Sequence, residues 1–157
     1  STINLFLASV AATACMSSYM FLISRYRGNA MRIPFLLGSL FSFRTRRTGE
    51  IDYSPASRWV GTAVHYATGF VFLLIYALVW SMGWLQPDFF GAAAMGVLHG
   101  FVGCGIWSLA FRFFPVLAKM DVRQFFIHLF LAHLVFSAVA TMMAAAWFND
   151  ISGMAPA

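Results

Sequence analysis

Charge is scarce in this chain: Asp, Glu, Lys and Arg make up 10% of its 157 residues, against 61% hydrophobic residues. Soluble domains carry roughly a quarter charged residues, so an ordinary water-soluble fold is excluded. Carboxylates number only five, Glu50, Asp52, Asp88, Asp121 and Asp150, and the pattern places all of them in connections. A proton pump or divalent-cation carrier ordinarily needs such groups inside the bilayer. The two cysteines, Cys15 and Cys104, fall within apolar stretches, away from oxidising machinery, and are expected as small packing residues. Also missing are a Cys pair at zinc spacing, H-E-x-x-H, G-x-S-x-G and a phosphate-binding glycine loop. Catalysis is therefore not expected.

What is abundant is apolar length. Four stretches, 3–24, 59–84, 89–114 and 125–148, reach the roughly 20 apolar residues needed to cross a bilayer. The expected fold is all-α: a single integral membrane four-helix bundle spanning 1–157. Pro87 is placed to close the hairpin between the second and third spans, and Pro115 to end the third.

All ten basic residues lie in two segments. Arg25, Arg27, Arg32, Arg44, Arg46, Arg47 and Arg58 form the first; Arg112, Lys119 and Arg123 form the second. Basic residues near span ends are retained on the cytoplasmic face, so both segments are expected there and both termini on the other side. The first span has its positive flank after it rather than before, which predicts a retained helix and not a signal peptide. The basic side chains of the first segment suit anionic lipid headgroups; nucleic-acid binding is not expected. Within the first loop, residues 33–43 are apolar but too short to cross, which predicts an interfacial segment with its rings inward. Trp59, Trp80, Trp84 and Trp147 sit near span ends, where indoles prefer the headgroup level.

Small and weakly polar residues recur at helical spacing on every span, for example Gly61, His65 and Gly69, or Gly96, Gly100 and Cys104, as close helix packing in lipid requires. The histidines are more specific. His99 and His133 each lie about 15 Å from their own surface at 1.5 Å rise per residue, and His65 roughly 10 Å, so the three can share one interior. His128 is shallower and points elsewhere, toward headgroups or Gln124. Neutral histidines bonded across helices are the leading expectation. Two alternatives stay open: ligation of haem b or a chlorophyll-type tetrapyrrole by His65, His99 or His133, and a metal site or proton path.

The stretch Ala11-Ala12-Thr13-Ala14-Cys15-Met16-Ser17, the Gly61-x-x-x-His65-x-x-x-Gly69 and Gly96-x-x-His99-Gly100 patterns with Trp107 and Pro115, and Ala132-His133-Leu134-Val135-Phe136 together resemble the uncharacterised four-span bacterial inner-membrane proteins of the YagU-like group. The resemblance implies a bacterial inner membrane and a compact four-helix unit, with no catalytic residues to carry over. The Arg-rich aromatic first loop departs from that group. The functional expectation is a non-enzymatic accessory or scaffold subunit of a larger membrane complex of respiratory or photosynthetic type, contacting lipids and other integral subunits. A haem- or chlorophyll-binding electron-transfer or pigment subunit is the alternative, and a small-solute or lipid transporter the third.

Overall fold

The computed structural model describes residues 2–27, 31–42, 45, 50–114 and 121–153. Among the described residues five helices follow in order: α1 Thr2–Arg27, α2 Ile33–Phe41, α3 Pro55–Ser81, α4 Phe89–Phe113 and α5 Val122–Gly153. All but α2 are long and apolar enough to cross a membrane, giving a multi-pass four-helix bundle.

Local chemistry sets the helix ends. Ser54 accepts from the Ser57 N–H at 3.2 Å and Pro55 follows at the first helical position, so α3 starts four residues before the expected Trp59. It also stops early, at Ser81. Gly83 takes φ +70; its N–H reaches Trp80 O at 3.0 Å while the Trp84 N–H reaches Val79 O at 3.2 Å, the paired bonds of a Schellman ending. Asp88 caps α4 through the Gly91 N–H at 2.7 Å, and Asp121 caps α5 through the Gln124 N–H at 3.1 Å. The α5 backbone continues past the expected end at Phe148 to Gly153. Phe43, Arg44, Arg46, Arg47, Thr48, Gly49, Pro115 and Lys119, together with the Trp147 side chain, lie outside the described residues.

Three seams of small residues bring helices together. On α4, Gly96, Gly100 and Gly103 face Leu134 with Ser137, Phe130 and His133 of α5. Gly69 of α3 faces Thr13 of α1, where a Cβ would overlap the hydroxyl. Gly61 of α3 lies against the Pro34 carbonyl, and Gly38 of α2 against the Ser57 carbonyl, so α2 and α3 meet backbone to backbone. With α1 also packed on α5, the order around the bundle is α3, α1, α5, α4. The remaining pair, α3 and α4, is joined by a short connection, yet its contact runs through side chains: Phe72 and Tyr76 against His99.

The α2 segment is thus held by protein more than by lipid. Ile33, Leu36 and Ser39 are buried, and Phe41 is exposed. A polar clasp fixes it: Ser42 donates to Asp52 Oδ2 at 2.5 Å, the Asp52 N–H donates to Ser39 Oγ at 2.9 Å, and the Ser54 N–H donates to Asp52 Oδ1 at 2.9 Å. Of the span-end tryptophans, Trp59 and Trp84 are exposed, but Trp80 is buried, edge-on to Tyr76 at 5.7 Å. Cys15 is exposed on the outer surface, and both cysteines are free thiols.

Candidate functional site

The bundle encloses one cavity that all five helices border. Its volume is about 310 Å³, and His65, His99 and His133 line it, each buried. The three deep histidines therefore do converge. His128 does not join them: its Nδ1 pairs with the Tyr19 hydroxyl of α1 at 2.9 Å, not with headgroups or Gln124.

The cavity lies where α3 and α4 fail to close. Phe72 stacks on His99 at 3.7 Å between centroids and forms its inner wall. From there it runs along the half of the bundle that carries the arginines, to Ala110 on α4 and to Leu37 and Leu40 on α2. Phe41, Thr68 and Ile106 on its border are exposed, so the opening lies on the side of the bundle.

Hydrogen bonds fix the ring orientations. His133 Nδ1 lies 2.7 Å from Leu129 O. A carbonyl only accepts, so Nδ1 carries the proton and Nε2 keeps its lone pair. His99 Nδ1 and the Tyr76 hydroxyl are hydrogen-bonded at 3.2 Å, and Ser137 beside them donates to Ala92 O at 2.7 Å. Both rings are thus held through Nδ1, and His133 keeps an acceptor at Nε2. They meet edge to face at 4.4 Å between centroids. His65 Nε2 bonds Ser17 Oγ of α1 at 3.0 Å.

Two hydroxyls also border the cavity: Thr68 Oγ1 donates to Val64 O at 2.8 Å, whereas Thr13 Oγ1, in a fully buried residue, has no hydrogen-bond partner. The remaining lining is mostly apolar or aromatic, including Met16, Trp107 and Phe136. An apolar pocket with a few convergent polar atoms is the usual form of a small-molecule site, and this volume is at the small end of the roughly 300–1,000 Å³ range.

A tetrapyrrole held between His99 and His133 does not fit this arrangement. Two imidazoles on opposite faces of one iron, each with a metal–nitrogen bond of roughly 2 Å, place their centroids about 6 Å apart with the macrocycle between them. At 4.4 Å in edge-to-face contact no plane can pass between these rings. Among the described residues, no three His, Cys, Asp or Glu side chains are grouped to hold a metal ion.

The seven arginines of the first basic segment divide into three groups. Arg25 and Arg27 are exposed at the end of α1. Arg32 and Arg58 line a second cavity, between α1, α2 and α3. Arg44, Arg46 and Arg47 lie outside the described residues. No protein-family model, curated protein or solved structure matches the chain, so the resemblance to the YagU-like group rests on its motifs alone.

Proposed function

We propose that this is a non-enzymatic membrane protein that takes a small, ring-containing molecule bearing hydroxyl donors, of phenol or quinol type, from the lipid phase into the histidine cavity. The observation that carries this reading is the His99 and His133 pair, held through their Nδ1 atoms with an acceptor left at His133 Nε2, beside the unpartnered Thr13 hydroxyl in a largely apolar chamber. A buried polar atom without a partner, as Thr13 Oγ1 is, costs about 1–3 kcal/mol, and a hydroxyl-bearing guest relieves that cost. The aromatic walls suit a flat ring, and the sideways opening suits a molecule dissolved in the membrane. We place the arginine-rich end on the cytoplasmic face of a bacterial inner membrane, in keeping with the basic flanks and the YagU-like motifs.

The test is binding of diisopropylphenol to the purified chain in mild detergent, alongside mass analysis of what the native protein retains. Saturable binding that weakens in His99→Phe, with the fold intact, supports the proposal. Equal binding by wild type and variant refutes it.

Membership of a larger membrane assembly is a second reading. It is favoured by an aromatic edge at the turn between α3 and α4, where Trp84, Phe89 and Phe90 are exposed and the two phenylalanines stand edge to face. Aromatic side chains of this kind are enriched at protein interfaces. Native mass measurement after gentle extraction decides it, and a lone monomer counts against it.

A further inference from the structure

The second cavity, about 380 Å³, is separated from the first by Ile33 and by the His65–Ser17 hydrogen bond. Among the described residues its polar lining consists of Arg32, Arg58, Ser17 and Ser18, with no carboxylate. Arg32 is held in place: its guanidinium carbon lies 5.4 Å from the centre of the Phe21 ring, and its backbone carbonyl accepts the first hydrogen bonds of α2. Its Nε is buried and has no hydrogen-bond partner. A buried guanidinium N–H without an acceptor is a costly arrangement that folded proteins rarely leave unanswered.

Two guanidinium groups and two hydroxyls around one hollow, with one N–H already desolvated, match the several acceptor oxygens of a phosphate group. Arg binds phosphate through its planar fork, with hydrogen bonds about twice as strong as neutral ones. The hollow also has an apolar side, from Met20, Phe21 and Phe35. We propose that Arg32 and Arg58, with Ser17 and Ser18, form a discrete phosphate-binding site between α1, α2 and α3, distinct from diffuse attraction of the basic loop to headgroups. The phosphate comes from an anionic lipid headgroup or from free phosphate in solution.

The site is tested on the purified full chain by native mass spectrometry after detergent exchange, with added phosphatidylglycerol, phosphatidylcholine or inorganic phosphate. One tightly held phosphate-bearing molecule per chain is expected. Arg32→Gln and Arg58→Gln each weaken retention about tenfold or more, whereas Arg25→Gln, which removes an exposed arginine outside the cavity, leaves it unchanged. Because Arg58 is exposed, its variant folds even if Arg32→Gln does not. Retention of phosphatidylglycerol that inorganic phosphate cannot displace identifies a lipid; displacement at millimolar phosphate identifies the free anion, and both support the site. Loss of equal size in Arg25→Gln and Arg58→Gln, or the absence of any stoichiometric phosphate compound, overturns it. Neither result depends on the phenol experiment, since the histidine cavity is unaltered.

Discussion

Gly103→Ala and Gly105→Ala form a matched pair on α4. A Cβ at Gly103 would lie 2.5 Å from His133 Cε1 and 2.6 Å from Nε2, whereas one at Gly105 meets nothing within 4 Å. Ordinary contact begins near 3.4 Å, so the His133 ring has to retreat by about 0.9 Å. It has little freedom to do so. Its Nδ1 is tied to Leu129 O at 2.7 Å, and its face meets His99 at 4.4 Å. Overpacking costs about 1–3 kcal/mol, and giving up the Nδ1 hydrogen bond adds about 0.5–1.5 kcal/mol. Both substitutions gain the same roughly 0.4–1 kcal/mol from replacing a helical glycine, so that term cancels in the comparison. Gly103→Ala should therefore be less stable than Gly105→Ala by about 2–4 kcal/mol. Reversible unfolding in mixed micelles, followed by helical circular dichroism, measures the difference. Equal stability within about 0.5 kcal/mol would mean that the imidazole does not occupy the groove left by Gly103, and the account of the cavity would fail with it.

Thr13→Val keeps the side-chain shape while deleting an unpartnered buried hydroxyl; the unliganded protein should become more stable, by up to about 1 kcal/mol, while diisopropylphenol binding weakens. Ser17→Ala removes the partner of His65 and should cost about 0.6 kcal/mol, at most about 1.7, the measured span for polar contacts between membrane helices; a larger loss in micelle unfolding would contradict that assignment. Tyr76→Phe removes the hydrogen bond to His99 Nδ1, costing about 1–3 kcal/mol. Its signature is in the imidazole nitrogen NMR spectrum, where the His99 Nδ1 resonance should shift and that of His133 should stay. Asp52→Ala opens the clasp on α2, and limited proteolysis should then cut residues 42–54 faster than in wild type.

The spans were legible because about 20 apolar residues are a coarse requirement that tolerates error at the ends. The convergence of the histidines was legible too: a fixed rise per residue sets His99 and His133 at similar distances from their span ends, and the structure brings both to one cavity with His65. What composition does not encode is which apolar surface meets protein and which meets lipid. The Ile33–Phe41 helix is apolar for either purpose, and its place against α3 depends on the close approach at Gly38 and Gly61, a signal present in the sequence but common to many spans. Trp80 and His128 went astray for a related reason. Each lies near a span end, where headgroups normally take the polar tip, yet Tyr76 and Tyr19 offer protein contacts first. The end of α3 was readable in principle, since Gly83 is the residue that a left-handed helix ending calls for.

The cavity follows from an asymmetry in side-chain size among the helix contacts. The α4–α5, α1–α3 and α2–α3 contacts are each lined by glycine on at least one side, so those helices close up. The α3–α4 contact carries Phe72 and Tyr76 against His99 instead, and these rings prop the two helices apart. The rings are themselves braced: Tyr76 meets Phe136 at 5.9 Å, His99 meets Phe136 at 5.1 Å, and Tyr76 hydrogen-bonds His99 Nδ1 at 3.2 Å. A chamber supported in this way exists before anything enters it, so a guest does not have to order the walls, and less of its interaction free energy is lost on binding. The short α3–α4 turn limits how far the helices can separate, while the rings prevent them from meeting, which places the chamber and its opening at the level of the imidazoles.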